Sequence, residues 1–439
     1  MDTAALLIMI AVLILAFASR GLYRALRNPS PGGAVLITSM SFLTGAAVLV
    51  AREGTPAEVE ILRICCVFLP VYLLGYFGSR RFLGLQIELP VTSIPRAGNA
   101  RSMAINVWVF FLFMLGIVLT AIYLSGTDKI LAGLYSFLFI GDTGISIIEL
   151  RLGFATGEDG YFAPGYIKQL RDILLPLSAL LVLFSIPRSS RRLILLFLLI
   201  VPTVAILIIS SGERGPVLVF LLGTTYAAFL SVHLGVASKR TIVAPLLTVA
   251  VVGGLIFSAL TSTYTTRKYE DTSAGIILLD RLVTTVPAEN SASYPVWQSG
   301  APYPGAGWIN ELATILPGKR VVLSALLHEE LGGGDKGNSL LGMWMDVFFN
   351  FDWVLGVIVA LFMGVFFATY SHWVNRRRIK SPTAAICGLW ISITMLNVYS
   401  PFGFVLYGPF ILSVLLILFS WRRRSERMNS SLRPLASTK

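Results

Sequence analysis

The chain has 439 residues; 55% are apolar or aromatic, 13% are charged, and the formal net charge is +12. Soluble domains carry about 25% charged residues, so this composition excludes a soluble globular, disordered or coiled-coil protein and leaves a polytopic membrane protein. Its three cysteines (Cys65, Cys66 and Cys387) all fall in apolar segments and its histidines number three, which excludes a disulfide framework and a histidine metal cluster.

A spanning helix needs about 20 mostly apolar residues. Eleven segments meet that length, at approximately 3–18, 33–51, 61–78, 103–125, 171–187, 193–210, 216–235, 241–262, 352–374, 383–400 and 403–421. The fold expected is all-α, a single polytopic domain over 1–439. The first segment lacks a basic leader and a small-residue cleavage site, so it reads as a retained helix and not as a signal peptide. No inverted repeat of the kind common in secondary transporters is evident.

Basic residues collect on the cytoplasmic side of membranes. Alternate connections carry Arg20, Arg24 and Arg27, then Arg80, Arg81, Arg96 and Arg101, then Arg188, Arg191 and Arg192. Lys239, Arg240, Arg376, Arg377, Arg378, Lys380 and a basic tail follow. That side holds 22 of the 35 Lys and Arg, but only Glu88 and Glu426 of the 23 acids. The split predicts an external N-terminus and a cytoplasmic C-terminus. It also assigns the net +12 to membrane anchoring and leaves no nucleic-acid role.

Two external connections are long, 126–170 and 263–351, and long loops in compact architecture usually carry function. The spans themselves are nearly free of ionisable residues, which argues against a pump, transporter or flippase. Chemistry is therefore expected at the external face. Arg214 stands there in Ser210-Ser211-Gly212-Glu213-Arg214-Gly215-Pro216, a tight turn between two apolar helices whose following N-terminus favours an anion. Arg151 and Arg171 flank the first long loop, and Arg267 and Arg281 open the second. A guanidinium fork suits phosphate; each of these residues is equally readable as a surface or structural arginine.

His328-Glu329-Glu330, ahead of Gly332 to Gly334, offers a general base or a solvated polar stretch. Glu158-Asp159 is the one adjacent acidic pair in the first loop able to hold a divalent ion; no compact metal set accompanies it, so neither a metal nor a cofactor is expected. Tyr294, Trp297, Tyr303 and Trp308 punctuate the second loop. They suit a sugar groove, or the aromatic belt that forms at any membrane interface.

Three stretches resemble the O-antigen polymerase (Wzy-type) family of envelope polysaccharide polymerases. The first is Ser211 to Pro216. The second is Gly307-Trp308-Ile309-Asn310-Glu311-Leu312 through Leu316-Pro317. The third is Gly337-Asn338-Ser339-Leu340-Leu341 with Asp346-Val347-Phe348-Phe349-Asn350-Phe351. Asp346 stands where the family more often has Glu, Asp352 where it has Gly, and the Arg-x10-Gly loop motif is absent.

The resemblance implies a GT-C-like glycosyltransferase architecture. It also implies metal-independent polymerisation of undecaprenyl-pyrophosphate-linked repeat units, donor and acceptor both lipid-linked, outside the cytoplasm. A chain-length regulator protein is an implied partner beside the membrane lipids. Arg214, Arg151, Arg171, Arg267 and Arg281 are then expected on the pyrophosphate, and Trp297, Tyr303, Trp308 and Asn350 on the glycan. Asp346 or His328 is expected to act as base, with Asp346 preferred because it lies one helical turn before Asn350. An O-antigen ligase shares the donor but transfers to lipid A-core, and a glycan exporter is the remaining alternative.

The orientation has a direct check. A reporter fused after Ser430 is expected to be active only in its cytoplasmic form; periplasmic activity at that position would reverse the topology.

Overall fold

The computed structural model describes residues 3–27, 29–85, 103–125, 164–184, 190–210, 215–233, 238, 242–243, 246–254, 283–298, 327, 329–331, 341–378 and 382–395. Within these the secondary structure is helical. The principal helices are α1 (Thr3–Arg27), α2 (Pro31–Arg52), α3 (Pro56–Phe82), α4 (Met103–Leu124), α5 (Pro164–Phe184), α6 (Ser190–Ile209) and α7 (Gly215–His233). They continue with α8 (Thr285–Gln298), α9 (Met343–Arg378) and α10 (Pro382–Thr394). Among the described residues α1, α2, α3 and Met343–Arg376 are long and apolar enough to cross a membrane. The chain is thus a helical membrane protein. Exposed apolar side chains such as Val12, Leu13, Phe17, Val354 and Phe362 suit contact with lipid.

Several helix starts are written locally. Ser30 caps α2, its hydroxyl accepting from the Gly33 N–H at 3.1 Å, with Pro31 in the first turn. Thr55 and Glu58 form a reciprocal capping box at α3, followed by Pro56. Both devices satisfy backbone N–H groups that have no partner inside the helix.

The chain divides into two compact units. One comprises Met1–Glu88, Thr261–Trp373 and Thr394–Leu406; the other comprises Leu89–Leu260, Val374–Ile393 and Tyr407–Lys439. In the first, α1, α2 and α3 pack together and α8 packs on α2 and α3. In the second, α4 lies along α5, which also meets α6 and α7. Gly116 makes the α4–α5 approach close, since a side chain there would meet the Leu175 backbone at 2.9 Å.

Helix α9 holds the span expected at about 352–374 together with the end of the connection 263–351, and it is not one straight helix. Trp344 packs its ring against Tyr72 with centroids 5.4 Å apart, and the Tyr72 carbonyl lies 2.3 Å from where a Gly364 Cβ would be. In a continuous helix Trp344 and Gly364 would be about 30 Å apart. Phe348 and Gly356 likewise share one neighbour, Phe68. The chain therefore folds back on itself. The reversal sits at Asp352, whose φ of 55° and ψ of −165° break the helix. Residues 343–351 form a short arm, and 353–378 run antiparallel to it along α3.

The arm starts deep. A Cβ on Gly342 would sit 2.3 Å from the Phe42 ring, and Phe42 is midway along α2. The start of α8 is placed similarly: the Val283 carbonyl lies where a Gly45 side chain would be, about 10 Å along α2 from Arg52. Two pieces of the 263–351 connection are thus packed alongside the interior of α2. Beyond the turn, residues 353–378 reach the Pro31 end of α2, where the Gly32 N–H donates to Ser371 Oγ at 2.8 Å. Gly75 and Gly364 bring α3 and this segment into backbone contact: a Gly75 Cβ would meet the Leu361 carbonyl at 2.4 Å.

A φ near 55° with ψ near ±165° is a region essentially reserved for glycine and costs an ordinary residue on the order of 1–3 kcal/mol. Asp352→Gly is expected to raise the thermal midpoint of the detergent-solubilised protein, as relief of that strain. An unchanged or lowered midpoint would show that the Asp352 Oδ1 bond to the Trp353 N–H, 2.8 Å long, outweighs it.

Candidate functional site

Asp346 and Asn350 lie one turn apart on the 343–351 arm, and their spacing does put them on one face. The Asn350 Nδ2 donates to the Asp346 carbonyl at 2.8 Å and to its carboxylate Oδ1 at 3.2 Å. Asp346 is 3% exposed and Asn350 is 1% exposed, so the pair is inside the protein. Counting back from Asp352, Asp346 is about 9 Å from the turn.

Reversal at Asp352 frees carbonyls at the end of the arm, because the residues that would donate to them now point elsewhere. One is met by a side chain: Trp297 Nε1 donates to the Phe349 carbonyl at 3.3 Å. At the other end of the arm, the Gly342 N–H donates to Asn290 Oδ1 at 3.0 Å. Both ties join residues of α8 to the arm with the same offset, so the two run side by side in the same direction over seven residues.

Around these ties an aromatic group fills the space. Trp297 packs on Phe348 and Phe349 with centroids 4.7 and 5.5 Å away, and Tyr294 packs on Trp297 at 5.8 Å. Phe68 and Trp353 close the group from α3 and the far side of the turn. Such tilted and stacked pairs contribute about 0.5–1.5 kcal/mol each beyond area burial. Trp297, expected on a glycan, is half-buried and has structural contacts: its indole N–H caps a carbonyl and its ring packs against two phenylalanines. Tyr294, also a sugar-groove candidate, is buried in the same group. Its hydroxyl accepts from Gln298 Nε2 at 3.3 Å.

Arg171 is the other candidate that the structure describes. It belongs to α5 in the second unit and is wholly buried. Its Nε and Nη2 both reach Asp172 Oδ1, at 2.8 and 2.6 Å, and its guanidinium lies 4.2 Å over the Tyr123 ring of α4. A buried arginine survives because charge pairing and the ring face replace its water. The residue links α4 to α5 and is not the exposed phosphate contact that its place beside the first long loop suggested. It also puts an ion pair inside a helix, in a chain whose apolar stretches seemed almost free of charge.

Arg214, Arg151, Arg267, Arg281, His328, Tyr303, Trp308, Glu158 and Asp159 lie outside the described residues. Among the described residues no group of three or more His, Cys, Asp or Glu is placed to hold a metal ion.

Two contributors were not read from sequence. Asn290 sits in a Thr-Val-Pro-Ala-Glu-Asn stretch that gave no sign of pairing with Gly342. Tyr123 looked like one more apolar residue at a helix end. Comparison with protein-family models, curated proteins and solved structures gives no match to this chain.

Removing Arg171 takes from the half-buried Asp172 both hydrogen bonds from the guanidinium. Arg171→Met is expected to cost about 1.5–3 kcal/mol, the range for hydrogen bonds to charged groups, read as a fall in thermal midpoint and in accumulated protein. Any product formed should fall only in proportion to protein level. A collapse in activity at full stability would restore Arg171 to the phosphate-binding set.

Proposed function

We propose that this chain is a lipid-linked oligosaccharide polymerase of the bacterial cytoplasmic membrane. It joins undecaprenyl-pyrophosphate-linked repeat units at the external face into surface polysaccharide. The observation that carries the reading is Asp346: a carboxylate in the stretch that resembles the Wzy-type polymerases, buried against the Asn350 amide on an arm inside the membrane-embedded unit. Burying a carboxylate is costly, and such groups gather at functional sites.

In the proposed topology eleven helices cross the membrane, with the N-terminus outside and the C-terminus inside. The Arg52–Pro56 end of α2 and α3 then faces outward, and the basic Arg27–Pro31 end faces the cytoplasm. The turn at Asp352 lies toward the external side, as an external reaction requires. A GT-C-like arrangement is the architecture this reading expects.

The reaction proceeds by displacement at the anomeric carbon of the donor. An acceptor sugar hydroxyl attacks that carbon, forming the new glycosidic C–O bond. The bond from the anomeric carbon to the pyrophosphate oxygen breaks, and undecaprenyl pyrophosphate departs with the electron pair. Asp346 takes the hydroxyl proton. The leaving group gathers negative charge, which preorganised cationic donors stabilise most in the transition state. Arg214, with Arg151, Arg267 and Arg281, is proposed for that role, and Tyr303 and Trp308 for the glycan. His328 is the alternative base. Arginines supply the charge that a metal gives in other phosphoryl-leaving reactions, so the activity is proposed to be metal-independent.

The test is a set of variants compared at matched expression, with surface polysaccharide read on a gel. Asp346→Asn keeps the shape and loses the base, so polymer should vanish while His328→Gln leaves much of it. Arg214→Ala should cost on the order of 2–4 kcal/mol of transition-state stabilisation, by analogy with an oxyanion donor, and Arg214→Lys should recover little. EDTA should leave the purified activity intact. Deletion of the gene should leave single-repeat caps; loss of all glycan from lipid A-core would instead identify a ligase. Normal polymer in Asp346→Asn would overturn the assignment of the base.

A further inference from the structure

The turn at Asp352 also gathers polar groups that the proposed reaction does not use. Three segments of the first unit meet there. Phe68 of α3 packs on Phe348 and Trp353, on either side of the turn. Trp297, near the end of α8, packs on Phe348 and Phe349. Charges converge on Tyr294: its hydroxyl accepts from Gln298 Nε2 at 3.3 Å and lies in the fields of Glu60, Arg63 and Asp352.

These groups are open to a ligand. Arg63 has 55% of its side chain exposed and Glu60 has 19%, and the two pair at 3.2 Å. Asp352 and Gln298 are exposed, and Trp297 and Trp353 are half-buried. Asp352 is the most informative of them. Its backbone conformation suits glycine, yet the residue presents a carboxylate whose Oδ1 is engaged by the Trp353 N–H at 2.8 Å. A side chain kept at a strained position, where glycine would relieve the strain, calls for a role outside folding.

Charge and shape select the ligand class. Two carboxylates face one guanidinium, an excess of negative charge that disfavours phosphate and pyrophosphate. A neutral polyol suits the set. Carboxylates accept from its hydroxyls, while the guanidinium and the Gln298 amide donate to them. Indole rings offer an apolar face to the C–H groups of a sugar and a polar edge beside it. A few polar groups set among aromatic ones is also the usual composition of a small-ligand site.

We propose that Glu60, Arg63, Gln298 and Asp352, with Trp297 and Trp353, form a glycan-binding subsite beside the turn. Asp352 lies about 9 Å along the arm from Asp346, so the subsite holds a sugar near, but not at, the bond being formed. That the sugar belongs to a repeat unit rests on the polymerase reading; that it is a neutral sugar rests on the side chains.

The experiment uses the full-length protein in nanodiscs of phosphatidylcholine and phosphatidylglycerol. The probe is the repeat-unit oligosaccharide of the producing cell's surface polysaccharide, released from its lipid by mild acid. Binding is read by saturation-transfer NMR and titration, with the thermal midpoint taken on the same samples. The wild type should bind the oligosaccharide without competition from inorganic pyrophosphate. Asp352→Gly should weaken binding about tenfold or more, the size of one hydrogen bond to a charged group, at a midpoint no lower than the wild type. A purely structural residue would move both readings in the same direction. Should Asp352→Gly fail to accumulate, Gln298→Ala removes an exposed side chain and should weaken binding about threefold or more.

No binding by the wild type, or full affinity in the variants, overturns the subsite. So does displacement of the oligosaccharide by pyrophosphate that Arg63→Gln abolishes, since that would make this an anion site. Loss of binding when phosphatidylethanolamine replaces phosphatidylcholine overturns it too, because an ammonium headgroup would then be the occupant. A separate transfer assay tests the polymerase reading. Sugar binding without polymer keeps the subsite and fells the polymerase; normal polymer from Asp352→Gly at unchanged affinity does the reverse.

Discussion

The reversal at Asp352 is the constraint on which the first unit depends. Without it residues 343–378 would form a rod of about 54 Å, far longer than the hydrocarbon core of a bilayer at about 30 Å. Turning back makes a spanning segment of 353–378 and returns 343–351 into the protein. The turn is held by Tyr72, which touches Trp344 on one limb and Gly364 on the other. Tyr72 also donates to the Gly32 carbonyl at 3.4 Å, so one residue, through its ring, hydroxyl and backbone, connects α2, α3 and both limbs.

Close approach comes from small residues because lipid removes the usual drive for burial. Apolar side chains gain little by leaving hydrocarbon for a protein interior, and van der Waals packing has to hold the helices together. Gly75 against Leu361, Gly364 against the Tyr72 and Tyr76 backbone, and Gly356 against Phe68 do this between α3 and α9. Gly116 does it between α4 and α5, and Gly223 makes room for the buried Trp390. Each admits a backbone or ring that any Cβ would displace.

Irregular backbone inside a membrane protein must have its polar groups met by the protein itself. The arm illustrates how. Asn290 receives the Gly342 N–H at its start, and Trp297 caps the Phe349 carbonyl near its end. Both partners sit on α8, so a helix from the connection 263–351 serves as the hydrogen-bonding complement of the arm. Side chains on the arm are met less completely: Asn350 Oδ1 and Trp344 Nε1 are buried without a hydrogen-bond partner. The second unit resolves a different polar problem by internal neutralisation, with Arg171 held by Asp172 and the face of Tyr123.

Much of this was legible in the amino-acid order. Apolar runs long enough to span a bilayer mark the helices, and Ser30-Pro31 and Thr55-Pro56-Ala57-Glu58 mark where two of them begin, since capping is a local matter. The four-residue spacing of Asp346 and Asn350 predicts one shared helix face, because helix periodicity needs no tertiary context. Departure from the resembled pattern at Asp352 was visible too, as a non-glycine at a glycine position. What sequence could not supply was direction. Hydropathy places 343–351 at the end of a connection but says nothing of where that connection goes, so its return along Tyr72 emerged only from packing. The same holds for Trp297 and Arg171, which look like surface ligands in order of sequence. Their partners, Phe349 and Tyr123, stand 52 and 48 residues away, and only the fold brings them together.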